Sequence, residues 1–153
     1  MQKIAVILFT LFFLTACNNS KKEKKEALKI GDYTAESSQK DQTSQQSSKE
    51  RGALIYTDFC MQCHLGNGKG VPNTFPPLAG SNWLSDKREE SIHAVKFGQR
   101  GEIEVNGKKY DGVMVPMGLS DKEVADVLNY VMTSWGNTQE KPVTEEEVAN
   151  IKK

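Results

Sequence analysis

Cys60-Met61-Gln62-Cys63-His64 places two thiols about one helical turn apart, with an imidazole directly after the second. This is the C-x-x-C-H spacing of covalent haem attachment. Two vinyl groups on one edge of a porphyrin accept two thiols as thioethers, so the thiols must project from the same side of a short helix. The next residue, His64, then presents its ring to the iron as an axial ligand. Two other chemistries use a Cys-x-x-Cys pair. A thiol–disulfide motif has no need of the following histidine. A zinc site needs further ligands, and the only other histidine is His93, while the third cysteine, Cys17, lies near the N-terminus. The expected cofactor is therefore one covalently bound haem c, held by Cys60 and Cys63 with His64 on the iron.

Outward from this motif, Gly52, Tyr56 and Cys60 recur every four residues, on one face of a helix spanning residues 51–59. Downstream, Gly66-Asn67-Gly68-Lys69-Gly70 is a glycine-rich turn, followed by Phe75-Pro76-Pro77-Leu78-Ala79-Gly80. These segments resemble the class I cytochromes c, and the resemblance extends over most of residues 50–137. It implies an all-α chain with the small cytochrome c fold and the covalent haem at its core. It also implies that the Pro76 carbonyl accepts the Nδ1–H of His64, orienting the ring and raising its basicity, and that Leu78 packs on the haem. Residues 86–97 read as an amphipathic helix with Ile92, Val95 and Phe97 inward. His93, within it, reads as a surface or partly packed side chain rather than a second axial ligand.

Class I cytochromes supply the sixth ligand from a methionine in a loop before the last helix. The corresponding segment here runs from Tyr110 to Leu119 and holds two methionines, Met114 and Met117. The family often places Pro directly after the ligand, and Pro116 comes one residue late for Met114. Tyr110-Asp111-Gly112-Val113-Met114 nevertheless resembles a recurrent lead-in, so the resemblance assigns Met114, with Met117 as the alternative. The last helix starts at Ser120, whose spacing from Glu123 is that of a capping box. Val124, Val127, Leu128 and Val131 give it an apolar face, and Gly136 is a helix stop. The run from Leu119 to Asn137 resembles the ends of bacterial cytochrome c domains attached to respiratory reductases and oxidases.

The N-terminus carries a different signal. Lys3 precedes an apolar run, residues 4–13, too short to span a bilayer and suited to a signal segment. Leu14-Thr15-Ala16-Cys17 resembles the bacterial lipobox, which implies cleavage before Cys17 and its lipidation. Residues 18–48 are polar and of low complexity, with no apolar side chain from Ser37 to Ser48. Such a stretch cannot bury enough apolar surface to offset the entropy of ordering. As a flexible coil it would span roughly 30 Å. The organisation expected is a lipoprotein signal peptide over 1–16, a lipidated cysteine and disordered tether over 17–48, a cytochrome c domain over 49–137, and a tail over 138–153 with room for one more short helix.

The chain of 153 residues balances 20 basic against 20 acidic side chains, so no basic excess argues for nucleic acid. Taken together, the expectation is a one-electron carrier rather than an enzyme. It would be lipid-anchored in the bacterial cell envelope, facing the periplasm or the exterior, and would exchange electrons with a membrane-bound donor complex and a terminal oxidase or reductase. The alternative is a haem-based sensor or haem enzyme with a displaceable sixth ligand.

Overall fold

The computed structural model describes residues 35–153, and side chains from Ser44 on. The expectations for the signal segment and for Cys17 lie outside the described residues.

The architecture is built on two helices that cross. Helix α1 (Ala35–Ile55) runs through a π-helical turn (Tyr56–Cys60) into the short α2 (Met61–His64). Helix α5 (Asp121–Val131) packs across α1. The crossing is closest at Gly52, where an added Cβ would overlap the backbone oxygen of Asp126, so only glycine allows this approach. One step along the α1 face, Ser48 Oγ donates to Asp126 Oδ1 at 2.6 Å. Arg51 makes a two-pronged contact with the same carboxylate at 2.6 and 2.8 Å. Four residues beyond Gly52, Tyr56 is 2 % exposed and packs on Tyr130 and Trp135, with ring centroids 5.5 and 5.0 Å away.

Helix α5 starts where its capping box predicts. Ser120 Oγ accepts from the Glu123 amide at 3.3 Å, and the Glu123 carboxylate accepts from the Ser120 amide at 2.8 Å. Val124, Val127, Leu128 and Val131 are all buried and form the centre of the core with Tyr56, Leu84 and Ile92. Leu84 comes from α3 (Asn82–Asp86) and Ile92 from α4 (Arg88–Phe97). Among the described residues, no helix is long and apolar enough to cross a membrane.

The predominantly helical fold matches the expected class, and three features depart from the sequence reading. First, residues 99–114, of which the sequence reading assigns only 110 onward, form an antiparallel hairpin: β1 (Gln99–Val105) pairs with β2 (Lys108–Met114), joined by Asn106-Gly107. Both turn residues have positive φ, 52° and 72°, which the favoured two-residue hairpin turn requires. The segment that begins at Tyr110, read as loop, therefore starts as a strand.

Second, α1 begins at Ala35, inside the stretch read from the sequence as tether over 17–48. Nucleating a helix is costly and extending one is cheap. The docked turns around Ser48 and Gly52 nucleate it, and the polar residues upstream continue it without an apolar face of their own. Ser48 is itself buried, so the domain begins before residue 49.

Third, the tail over 138–153 belongs to the core. Val143 and Val148 are 3 % and 0 % exposed, and α6 (Glu145–Asn150) packs on α5. Arg88 holds this segment by donating to both carboxylate oxygens of Glu147, to Gln139 Oε1 and to the carbonyls of Lys141 and Pro142. The short helix for which the tail has room is α6. The apolar content of the tail is two valines, an alanine and an isoleucine, too little to be read as core before their burial is seen.

Candidate haem site

The π-turn and α2 bring Cys60, Cys63 and His64 to one wall of a cavity of about 460 Å³. That volume is typical of cofactor pockets, which run to roughly 300–1,000 Å³. Both cysteines are unpaired and half-buried. Burial, and then the neighbouring Cys63, push the Cys60 thiol up to about 11. A thiol–disulfide nucleophile needs the opposite, a thiolate stabilised near neutral pH, so the environment of Cys60 disfavours that chemistry.

His64 is buried, and its Nδ1 lies 3.0 Å from the carbonyl oxygen of Pro76. With Nδ1 protonated, the ring donates this hydrogen bond and keeps the Nε2 lone pair for a metal. Burial lowers the His64 pKa, against the raising effect of the Pro76 bond, and the net direction is downward. The imidazole is therefore favoured in its neutral form, the form that ligates. The turn behind the ring is fixed by Tyr56, whose hydroxyl donates to the Leu65 carbonyl at 2.6 Å. Pro76 and Leu78 both line the cavity, on the loop before α3.

The hairpin forms another wall. Tyr110 to Met114 of β2 line the cavity, as do Gln99, Gly101, Ile103 and Val105 of β1. Helix α5 contributes Val127, Leu128 and Val131. Met114, the last residue of the ladder, pairs with Gln99, and Met117 follows three residues later. Both methionines are half-buried and both line the cavity. His93 does not. It lies in a separate surface groove with Asp86, Glu89 and Glu90, its ring 5.2 Å from that of Phe97.

These residues fit a haem on several counts. Gly101 and Gly112 are register partners on the cavity-lining positions of the hairpin. A Cβ built on Gly101 would meet nothing within 4 Å, and one on Gly112 nothing nearer than the Thr74 oxygen at 3.7 Å. The pair leaves bare backbone over open space, which suits a flat ring. Around it are apolar side chains, two unpaired thiols, an imidazole with Nδ1 already bonded, and thioether sulfurs. Sequence reasoning missed the hairpin wall, including Ile103 and Val105. The signal was present: Asn-Gly flanked by alternating apolar residues is the strongest short-range hairpin pattern.

Residues 49–135 match the sequence profile of the cytochrome c family. The chain is similar to cytochrome c-552 of Thermus thermophilus, 44 % identical over 110 residues, covering 66 % of this chain and 83 % of that protein. It is also similar to the cytochrome c subunit of the quinone alcohol dehydrogenase of Gluconobacter oxydans, 32 % identical over 105 residues, which is 66 % of this chain but 22 % of the relative. A weaker likeness, 28 % over 94 residues, covers 58 % of this chain and 31 % of FixP, a subunit of the cbb3-type cytochrome c oxidase of Bradyrhizobium diazoefficiens. A profile match over more than half the chain, together with a relative matched over most of its own length, leads to one conclusion: this chain belongs to the cytochrome c family, and it is a c-type electron carrier, not an enzyme.

Proposed function

We propose that the protein is a membrane-tethered single-electron carrier of a respiratory chain in the bacterial cell envelope. One haem c would be held by thioethers to Cys60 and Cys63, with His64 and Met114 as axial ligands. Bound there, the haem supplies a one-electron ferric/ferrous couple. The observation that carries the reading is the convergence of two unpaired thiols, a buried imidazole and a thioether on one apolar cavity. The chain's own residues set the properties of that couple. The Pro76 carbonyl orients His64 and makes it a stronger donor. A methionine thioether is soft and neutral and favours ferrous iron, raising the potential. Met114 is preferred to Met117 on the Tyr110-Asp111-Gly112-Val113-Met114 lead-in, and both methionines line the cavity.

Lipidation at Cys17 would tie the domain to a membrane. Stable attachment takes two or more acyl chains, which a lipoprotein cysteine carries. The cytochrome subunits of dehydrogenases and of an oxidase among its relatives support a membrane-bound donor complex and a terminal oxidase or reductase as partners.

The test is a redox titration with absorbance spectra of the haem-loaded protein, wild type beside Met114→Ala and Met117→Ala. Met114→Ala should lower the potential and open the sixth site to added imidazole, while Met117→Ala leaves both unchanged. The reverse pattern would transfer the ligand to Met117. If neither substitution had an effect, histidine–methionine ligation itself would be refuted. Membrane partition of Cys17→Ser tests the anchor separately: retention on membranes after signal removal would exclude it.

A further inference from the structure

The turn of the hairpin is fastened to the rest of the molecule by side-chain amides. Asn106 Oδ1 accepts from the Asn82 backbone amide at 2.9 Å, and Asn82 Oδ1 accepts from the Asn106 backbone amide at 2.7 Å. Asn106 Nδ2 donates to the Gly80 carbonyl at 3.1 Å. The loop that receives these bonds is itself held from behind, because Asn137 Oδ1 accepts from the Gly80 amide at 2.8 Å and Asn137 Nδ2 donates to the Leu78 and Val131 carbonyls at 2.9 Å. This is the loop whose earlier residue, Pro76, receives the His64 bond. The clasp therefore joins the wall that orients His64 to the wall that carries Met114.

A two-stranded hairpin is marginal by itself. Strand β1 touches α3 and α4, whereas β2, the strand of Met114, packs chiefly on β1. Met114 is at the root of the hairpin and Asn106 is at its tip, eight residues away in sequence. With the tip fastened, the two strands move as one body with the loop. With the tip free, β2 is held chiefly by its ladder to β1, and the strand that ends at Met114 is freer to shift.

We propose that Asn106, with Asn82, is a positioning residue for the sixth iron ligand: the clasp at the hairpin tip latches the Met114 wall to the Pro76 loop and keeps the sixth site closed. The inference rests on the assignment of Met114 above. Asn106, Asn82 and Gly80 do not line the cavity, so the effect of the clasp is on how often the site opens. The bonds are at the surface, where each contributes modestly, and losing two of them at once should raise the open population on the order of tenfold.

The test uses the haem-loaded full chain and two readouts: imidazole binding to the ferric form, and hydrogen exchange of the Tyr110–Met114 amides. Asn106→Gly is the main variant, because glycine keeps the positive-φ turn while removing both side-chain bonds. Asn82→Ala removes the reciprocal acceptor. Asn106→Asp keeps the acceptor for Asn82 and loses the donor to Gly80. Arg88→Ala, which loosens the tail, controls for general loss of stability. Asn106→Gly, which loses two bonds, should bind imidazole on the order of tenfold more tightly than wild type and exchange faster across Tyr110–Met114, with Asn82→Ala and Asn106→Asp, which lose one bond each, between it and wild type. Arg88→Ala should change neither. Wild-type binding and exchange in Asn106→Gly, beside strong binding by Met114→Ala, would overturn the latch while leaving the ligand assignment intact. An equal effect from Arg88→Ala would also overturn it, by making the response a global one. If Met114→Ala bound imidazole no better than wild type, the ligand assignment would fail, and the latch with it.

Discussion

Gly52→Ala sets helix propensity against packing, and the two predict opposite signs. In a helix interior, alanine is favoured over glycine by about 1 kcal/mol, so a reading of α1 as an isolated helix expects stabilisation. The structure expects the reverse. The new methyl would overlap the Asp126 backbone oxygen and lie 2.6 Å from its carbonyl carbon and 2.9 Å from Tyr130 Cβ. None of these atoms is the end of a flexible side chain, so relief requires α1 and α5 to move apart. Overpacking of this kind costs about 1–3 kcal/mol. Separation also stretches the buried Ser48–Asp126 hydrogen bond, for roughly 1 kcal/mol more. After the propensity gain, the net loss is about 1–3 kcal/mol. For a domain of this size that is a fall in Tm of roughly 5–20 °C. Thermal and urea unfolding of the haem-loaded protein measure it. Gly66→Ala is the control, since its methyl would meet only Met61 Sδ at 3.5 Å, and it should change stability by less than about 0.5 kcal/mol. A Gly52→Ala protein as stable as wild type, or more so, would refute the packing argument at the α1–α5 crossing.

Asp126 should make the protein acid-sensitive. Burial pushes its carboxyl up, but hydrogen bonds from Arg51, Lys122 and Ser48 outweigh this and hold it below the usual range. A native pKa below the unfolded value of about 4 means stabilisation that is complete above that pH and lost as pH falls through the native value. Asp126→Asn should cost about 1–3 kcal/mol at neutral pH, and its unfolding curve should converge on wild type in acid; a constant gap across pH would show that the charge is not responsible. Arg88→Ala should free the tail, costing about 1–3 kcal/mol and exposing residues 138–142 to limited proteolysis, and an uncut tail at unchanged stability would show that Val143 and Val148 hold it alone.

The haem motif was legible because its chemistry is local. Two thioethers and an axial ring require Cys60, Cys63 and His64 within one turn of helix, so five consecutive residues carry the whole signal. The C-terminal helix was legible for the same reason: the Ser120–Glu123 cap and the valine–leucine face are spacings within a single element. The contact between Pro76 and His64 spans only twelve residues, yet nothing in the periodicity of the loop specifies it. It entered as an expectation through resemblance, and the hydrogen bond is a fact of the fold. The hairpin had its signal in Asn106-Gly107, but its apolar residues are few, because its inner face closes a cavity instead of packing into a continuous core.

What remained was decided only by tertiary structure. The polar start of α1 is helical because a docked turn downstream nucleates it, a cooperative effect that composition cannot register. The tail is core because Arg88 collects five acceptors from Gln139, Lys141, Pro142 and Glu147, far from it in sequence. Asp126, on a face that sequence periodicity would assign to solvent, is buried because α1 brings Ser48 and Arg51 to it. A residue sequence records its own spacings directly, and so it carried the expectation of haem attachment and the helix faces. It does not record which distant partner will neutralise a charge or cover an apolar side chain, and those pairings set where this domain begins and ends.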